Sequence, residues 1–261
     1  MELVRTSRKP KRRNPKKLMI FSNPKTGKTT ISSKLTLERN WVMLDFEKTG
    51  DDFGSDFIEG VVQQMPKGLA SFKAFQKLVK EHREEHGEYP YEGIIVDSIT
   101  MLEDLCLPYA GRLYRSSVMG SSWEETNDSK ILELPNGAGY YWTRLAMKDV
   151  LGKIYDLAPN IILLGHKAEK TINKKGKEVS VKEIDLMGKM KSIVSADMDA
   201  IGYMFRDKTK TILTFKADET SVVGGRCPHL SNEDIVIADS ESGELVTYWD
   251  KIYLKEDENE G

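Results

Sequence analysis

An apolar segment near the N-terminus runs directly into a short polar turn that carries a lysine. Residues 18–21 are apolar, residues 22–27 are small or polar, and Lys28, Thr29 and Thr30 begin a segment with helical spacing. A strand, a tight turn and a helix in this order bring backbone N–H groups and the positive end of a helix dipole to one point. The sequence therefore predicts a phosphate-binding loop with a strand before it and a helix after it.

The residues of this loop have separate roles in holding a nucleoside triphosphate. Gly27 lets the backbone approach the phosphates, Lys28 reaches the β and γ phosphates, and the Thr29 hydroxyl is placed to ligate magnesium. Ser22 stands where the motif G-x-x-x-x-G-K-[ST] has its first glycine, so the match is to a degenerate form. The flanking strand and helix argue against an ordinary turn. We expect ATP and Mg²⁺ at a loop formed by Ser22, Asn23, Pro24, Lys25, Thr26, Gly27, Lys28, Thr29 and Thr30.

Length and composition limit the class of protein. The 261 residues suit one α/β domain with a substantial core. The apolar runs are too short for a membrane span, and the basic N-terminus lacks the apolar segment of a secretory signal. Cys106 and Cys227 lack the spacing of a metal site, which favours unpaired thiols in a reducing compartment. These features predict a cytoplasmic protein without a membrane partner, and the net charge of −2 gives no overall indication of nucleic acid.

Two later apolar segments end in carboxylates. The first leads to Asp45 and Glu47, and the second ends at Asp97. Because sheets of this class bind ligands beyond the carboxyl ends of their strands, these acids are expected to face the pocket, unless Asp45 and Glu47 merely open a loop. Asp97 is predicted to hold magnesium through water or to accept from Thr29. Ser98 follows Asp97 in place of a glutamate, so the acid that activates water has to come from elsewhere, and Glu47 is the candidate.

A fourth apolar segment, residues 160–165, ends in His166. That histidine is either a sensor of the γ-phosphate or a structural residue. The segment after it is rich in lysine up to residue 191 and has the form of a hairpin turning near Lys175 and Gly176. Because the hairpin starts at the active edge of the sheet, its lysines are candidates for binding nucleic acid. They are Lys170, Lys174, Lys175 and Lys177.

The rest of the chain divides into an arm, a body and a tail. Residues 1–17 are strongly basic and predict either a solvated arm or an arm that follows phosphates on DNA or RNA. Residues 18–230 form the predicted ATPase domain, and residues 231–261 hold a strand and an acidic tail. Helices are predicted at 69–85, 99–115 and 139–157, with an irregular segment at 116–135. Residues 199–206 and 209–216 predict an antiparallel pair.

The order of these motifs resembles the RecA-type ATPase core. More narrowly, it is similar to the small phage-encoded RecA-like ATPases linked to single-strand annealing and recombination. The resemblance covers residues 18–230 and implies a mostly parallel central sheet flanked by helices, with an antiparallel closing hairpin. It also implies that Glu47 activates the attacking water and that segments within 108–135 and 167–191 face single-stranded DNA.

The same resemblance has consequences for assembly. In that family basic residues beyond the closing hairpin reach the nucleotide of a neighbouring subunit, which suggests Lys216 or Arg226. A homo-oligomer is therefore expected, with a single-strand-binding protein as a further candidate partner.

Three functions fit these features. The first is an ATPase acting on single-stranded DNA in phage-type recombination or replication. The second is a nucleotide or small-molecule kinase, which would need an arginine-rich lid; the lysine hairpin is a poor lid. The third is a nucleotide-gated DNA-binding module with little hydrolysis, which Ser22 in place of the loop glycine favours. Stimulation of ATP hydrolysis by single-stranded DNA separates the three.

Overall fold

The predicted apolar segments are strands of one large sheet. The computed structural model of the chain describes residues 14–47, 62–64, 69–174, 177–218 and 220–255. Its strands are β1 (Lys17–Ser22), β2 (Trp41–Asp45), β3 (Val62–Gln64), β4 (Gly93–Asp97), β5 (Asn160–Lys174), β6 (Lys177–Ile184), β7 (Ala200–Asp207), β8 (Lys210–Thr214), β9 (Gly224–Gly225), β10 (Asp234–Asp239) and β11 (Val246–Thr247).

The sheet has the order β11-β10-β8-β7-β1-β5-β4-β2-β3. Strand β1 lies between β5 and β7 and pairs with both in parallel, and β4, β2 and β3 continue the parallel part. Strands β8, β10 and β11 close the other side in antiparallel fashion, while β6 pairs with β5 and β9 with β7. This arrangement confirms the predicted mostly parallel sheet with an antiparallel closing pair.

Helices cover both faces of the sheet. They are α1 (Lys28–Glu38), α2 (Leu69–His86), α3 (Ile99–Leu105), α4 (Leu107–Arg115), α5 (Ala138–Tyr155) and α6 (Met190–Asp197). Along β1, Met19 and Phe21 join the core on one face, while Leu18 and Ile20 join the core on the other. Burial on both faces explains why the central strands are continuously apolar rather than alternating. None of the helices in the described ranges combines the length and apolarity needed to cross a bilayer.

The helices differ from the sequence predictions in two places. The helix predicted over 99–115 is two helices, and Pro108 gives the reason, because its ring nitrogen cannot donate back to the preceding turn. Helix α6 was not predicted. Only Met190 and Val194 of its residues are buried, and the lysines around them hid the short apolar stripe.

The segment predicted to be irregular, residues 116–135, is ordered around one arginine. It contains three short 3-10 helices, Val118–Gly120, Asp128–Glu133 and Pro135–Gly137. Arg115 donates to the carbonyl of Trp123 at 3.0 Å and forms an ion pair with Asp128 at 3.0 Å. These bonds fold the segment back against α4 and α5.

Both predicted end segments have described residues attached to the sheet. Asn14 exchanges two hydrogen bonds with the backbone of Leu254, at 2.8 and 2.9 Å, and β1 begins at Lys17. Strand β10 pairs with β8, and the buried Trp249 indole donates to the carbonyl of Ile31 at 3.0 Å. Residues 14–17 and 231–255 are thus part of the same fold, whereas the rest of the basic arm and the end of the acidic tail lie outside the described residues.

Candidate nucleotide site

The parallel strands bring the predicted site residues to one edge of the sheet. In the strand register Asp45 lies opposite Asp97, and Ser22 lies opposite His166. Ser22, Asp45 and Asp97 are the last residues of their strands, and His166 lies in β5 where its pairing with β1 ends. Their side chains therefore converge where the phosphate-binding loop leaves β1. This is the edge at which parallel α/β sheets bind ligands.

Ser22 holds the loop lysine. The Lys28 ammonium donates to the Ser22 hydroxyl at 3.0 Å, and that hydroxyl donates to the carbonyl of Asn23 at 2.8 Å. Lys28 is only 6 % exposed, and burial lowers the pKa of its ammonium, although the charges of Asp97 and Glu47 oppose the shift. Ser22, which replaces the first glycine of the motif, therefore holds the Lys28 ammonium at the position where phosphate oxygens would bind it.

Gly27 is required by its backbone conformation. Its φ of 99° lies in the left-handed region, where a side chain is strained. Space is not the reason, since an added Cβ would meet its nearest neighbours, Arg206 and Ile31, at an ordinary 3.7 Å. The residue precedes the eleven-residue helix α1 and has no side chain to cap it. The first N–H groups of α1 are therefore available to an anion.

Thr29 and Asp97 form the candidate magnesium site. The Thr29 hydroxyl donates to Asp97 Oδ2 at 2.6 Å, and Asp97 is 1 % exposed. Burial raises the pKa of Asp97 to about 7 against the hydrogen bond from Thr29, and the nearby carboxylates of Glu47 and Asp45 add to the rise. A cation beside these groups would offset the cost of burying an ionised Asp97.

The donor set fits magnesium. The described part of the chain has no cluster of three or more His, Cys, Asp or Glu side chains able to hold a metal. Magnesium, however, keeps several waters and binds through one or two protein oxygens together with the phosphates of its nucleotide. The Thr29 hydroxyl and the Asp97 carboxylate match that requirement.

Glu47 is held above the end of β4 by its neighbours. The backbone N–H groups of Phe46 and Glu47 both donate to the carbonyl of Asp97. His166 Nε2 lies 2.8 Å from Glu47 Oε1, and the Ser98 hydroxyl donates to the same oxygen. The hydrogen bond from His166 lowers the pKa of Glu47, burial opposes this, and Ser98 and the charge of Lys28 lower it further. The carboxylate therefore remains ionised, as a base must.

Asp45 and Glu47 do not have equivalent positions. Strand β2 ends at Asp45, so Glu47 follows the strand and does not belong to it. Asp45 is 1 % exposed and lies beside Asp97, whereas the Glu47 side chain is 18 % exposed. Glu47 is consequently the carboxylate that faces the open part of the pocket.

His166 is fixed by its own backbone. Its N–H donates to the Thr100 hydroxyl at 3.2 Å, and its carbonyl accepts from Asp185 at 2.9 Å. The Thr100 hydroxyl donates in turn to the carbonyl of Asp185 at 3.2 Å. His166 Nδ1 is buried and has no hydrogen-bond partner among the described residues. The backbone of His166 is thus held by α3 and by the residue that follows β6.

The lysine-rich hairpin of β5 and β6 begins directly after His166. Strand β5 pairs with β1 and β4 up to residue 166, and its continuation pairs with β6 from Lys167 to Lys174. The exposed Lys170 has no ion pair within the described ranges, and Lys174 lies opposite Lys177 in the backbone register. Lys175 and the turn itself lie outside the described residues. Strand β5 therefore connects the edge of the sheet that carries the candidate nucleotide site to the hairpin.

Lys216 and Arg226 lie away from the loop of their own subunit. Lys216 follows β8 toward the amino end of β7 and forms an ion pair with Asp234 at 2.6 Å. Arg226 follows β9, which pairs with the first residues of β7, and donates to the carbonyl of Ala196 at 3.3 Å. Both are at the opposite edge of the sheet from the phosphate-binding loop.

Sequence reasoning passed over three residues that the structure brings to the site. Ser98 was noted only because it is not a glutamate, yet its hydroxyl bonds Glu47. Thr100 positions the backbone of His166. Arg206, at the end of β7, has its guanidinium beside Gly27. The position of Arg206 at the end of an apolar strand could have indicated a site residue. The sequence, however, does not show that β7 adjoins β1.

Comparison with known proteins gives a family match over most of the chain. The model of the AAA domain matches residues 14–227. No curated protein matches the chain significantly. Among solved structures, the chain is similar to a prototypical ATPase from the type III secretion system of pathogenic bacteria, with 12 % sequence identity and a TM-score of 0.42. That alignment covers 74 % of this chain and 53 % of the other, so the chain spans about half the length of that ATPase.

Proposed function

Because the chain belongs to the AAA domain family, we propose that it binds and hydrolyses ATP and that it does so on single-stranded DNA. The observation that carries the ATPase proposal is the position of Glu47. Its ionised carboxylate is held by His166 and Ser98 at the same edge of the sheet as Lys28 and the Thr29–Asp97 pair.

The residues divide the reaction between them. Lys28 exchanges its hydrogen bond to Ser22 for phosphate oxygens, and the N–H groups at the start of α1 bind the same phosphates. Magnesium, held by Thr29 and Asp97, supplies charge neutralisation when bound. Both hydrogen bonds to Glu47 go to Oε1. Its other oxygen, Oε2, is therefore the one that can accept a proton from water.

The DNA proposal is supported by the hairpin. Lys170, Lys174 and Lys177 lie on strands β5 and β6, whose pairing begins at Lys167, directly after His166. A conformational change at the candidate nucleotide site can therefore reach them along one strand. Lysines neutralise phosphates without reading bases, which suits binding that does not depend on sequence.

The direct test measures phosphate release with and without single-stranded DNA. Wild-type protein should hydrolyse ATP faster when DNA is present, and Lys28→Ala should lose ATP binding and turnover under both conditions. Lys34→Ala, which removes a charge from the same helix outside the loop, is the matched control and should behave as wild type. Normal hydrolysis by Lys28→Ala would remove the loop from the mechanism. Hydrolysis that DNA leaves unchanged would overturn the DNA part alone.

The kinase and gated-module alternatives give different results in the same assay. A kinase would transfer the phosphoryl group to an acceptor instead of releasing phosphate. A gated module would bind ATP and change its DNA affinity without release, and the anchoring of Lys28 by Ser22 is the feature that favours it.

We also propose that subunits assemble so that Lys216 or Arg226 reaches a neighbour's nucleotide. Both residues lie at the edge of the sheet opposite their own loop, so a contact with nucleotide has to come from an adjacent subunit. An alanine variant of the acting residue should bind ATP yet hydrolyse it poorly, and mixing it with Lys28→Ala protein should restore activity at mixed interfaces. A monomer with full activity at nanomolar concentration would overturn this assignment.

A further inference from the structure

Arg206 lies against the phosphate-binding loop from the side opposite the catalytic carboxylates. Strand β7 pairs in parallel with β1 up to Tyr203, and Arg206 extends beyond that pairing toward the loop. Its guanidinium nitrogen Nη2 is 3.7 Å from the position that a Cβ on Gly27 would occupy. The side chain therefore belongs to the surroundings of the loop, although the catalytic scheme above gives it no role.

The positive charges around Arg206 favour the binding of an anion. The guanidinium is exposed and has no hydrogen-bond or ion-pair partner within the described ranges. It stands beside the N-terminal end of α1, where the helix dipole is positive and a cation is unfavourable. Lys28 adds a second positive charge to the same loop. Together, the guanidinium, the ammonium and the helix N-terminus favour the binding of a polyanion at the loop.

The strand order decides which phosphates Arg206 can reach. Glu47 follows β2, Asp97 ends β4, and His166 lies on β5, all on one side of β1. Arg206 lies on β7, on the other side. The transferred phosphate has to lie next to Glu47, so Arg206 faces the part of the nucleotide that is not transferred.

We infer that Arg206 binds the α- and β-phosphates of the nucleotide in the loop of its own subunit. The fork of a guanidinium fits two phosphate oxygens, which the single ammonium of a lysine does not match. Because the contact is the same before and after hydrolysis, it contributes affinity for ATP and ADP alike. The inference rests on the proposed nucleotide binding and adds a positioning residue to it.

The test compares ATP and ADP affinities of the full-length wild type, Arg206→Ala, Arg206→Lys and Lys210→Ala. Lys210 is an exposed cation at the start of β8 and serves as the matched control. Arg206→Ala should bind ATP and ADP each about tenfold more weakly, the scale of a lost charge-assisted hydrogen bond. Arg206→Lys should recover part of the loss, and Lys210→Ala should show none. Turnover at saturating ATP is measured for each variant, which separates an effect on binding from an effect on the chemical step.

Other outcomes overturn the inference. Affinities of Arg206→Ala within twofold of wild type would show that the guanidinium does not contact the nucleotide. Loss of ATP affinity or turnover with ADP affinity unchanged would move the contact to the γ-phosphate. A wild-type protein that binds neither nucleotide would refute the proposed function as well, and circular dichroism melts of each variant exclude loss of fold as the cause.

Discussion

Glu47 Oε1 and His166 Nε2 lie 2.8 Å apart and thereby join two strands that are not neighbours in the sheet. Strand β4 separates β2 from β5, and Ser98, directly after β4, donates to the same carboxylate oxygen. Residues from three adjacent strands, or directly after them, thus meet at one oxygen. This bridge holds the candidate base in place at the carboxyl edge of the sheet.

The first prediction concerns the base itself. Glu47→Gln should bind ATP with nearly wild-type affinity and release phosphate at least about a hundredfold more slowly, because an amide cannot accept the proton from water. Asp45→Asn is the comparison, since Asp45 is buried behind the site. Nucleotide affinity and phosphate release are measured for both. If Asp45→Asn is the inactive variant and Glu47→Gln is not, the assignment along this segment is wrong.

The second prediction separates the hydrogen bond of His166 from any other role of its imidazole ring. His166→Gln retains a side-chain N–H that can donate to Glu47, so turnover should stay within about threefold of wild type. His166→Ala removes the donor and should slow turnover about tenfold by letting Glu47 move. Turnover at saturating ATP is the measurement. Equal losses in both variants would mean that the imidazole does more than hold Glu47.

The sheet could be predicted from the sequence because burial marks its strands. The segments before Ser22, Asp45, Asp97 and His166 are buried on both faces and therefore read as apolar runs. The same logic fails for helix α6, which buries only Met190 and Val194 among lysines. It also fails for the three-residue strand β3, which is too short to show a pattern.

The candidate site could be predicted only where its residues end a strand. Lys28, Asp97 and Glu47 follow recognisable apolar segments, so their convergence could be inferred from chain order. The role of Ser98 depends on which carboxylate lies above it, and that of Arg206 on the pairing of β7 with β1. Both relationships arise from tertiary contacts between segments far apart in sequence. The local sequence does not contain them.

The third prediction tests where DNA binds. If Lys170, Lys174, Lys175 and Lys177 each neutralise one phosphate, replacing all four by Ala should reduce the salt dependence of single-strand binding. On a plot of log affinity against log salt the slope should flatten by about 0.7 per lysine, without a change in sequence preference. Neutralising the arginines and lysines of residues 1–13 is the comparison. An unchanged slope in the hairpin variant, with a flatter slope in the arm variant, would assign binding to the arm.

The fourth prediction uses two glycines of the same helix. An added Cβ at Gly139 would stand 2.0 Å from the backbone oxygen of Ile131, whereas at Gly152 it would meet nothing within 4 Å. Gly139→Ala should therefore lower the free energy of unfolding by about 2 kcal/mol through overpacking. Gly152→Ala should raise it by about 0.5–1 kcal/mol through helix propensity. Urea titrations of both variants measure this, and similar effects at the two positions would contradict the close approach of α5 to residues 128–133.

The fifth prediction concerns Glu103, a buried carboxyl group on α3. Glu103 Oε2 accepts from the backbone N–H of Met187 at 2.8 Å, while Oε1 is buried without a partner among the described residues. Burial raises the pKa of Glu103 from 4.5 to about 7 against the hydrogen bond from Met187, and the charges of Asp104 and Asp185 raise it further. The group ties α3, which follows the end of β4, to the segment after β6.

Because the pKa of Glu103 is higher in the folded chain, the folded state holds this proton more tightly than the unfolded state between about pH 4.5 and pH 7. Its contribution to stability is therefore present below pH 4.5 and is lost as the pH rises through 7. Glu103→Gln cannot titrate, so its stability relative to wild type should increase by about 1–2 kcal/mol from pH 5 to pH 8. Urea midpoints across that range measure the difference, with the exposed Glu85→Gln on α2 as the control that should follow wild type. Parallel curves for Glu103→Gln and wild type would show that Glu103 remains ionised in the folded protein throughout this range.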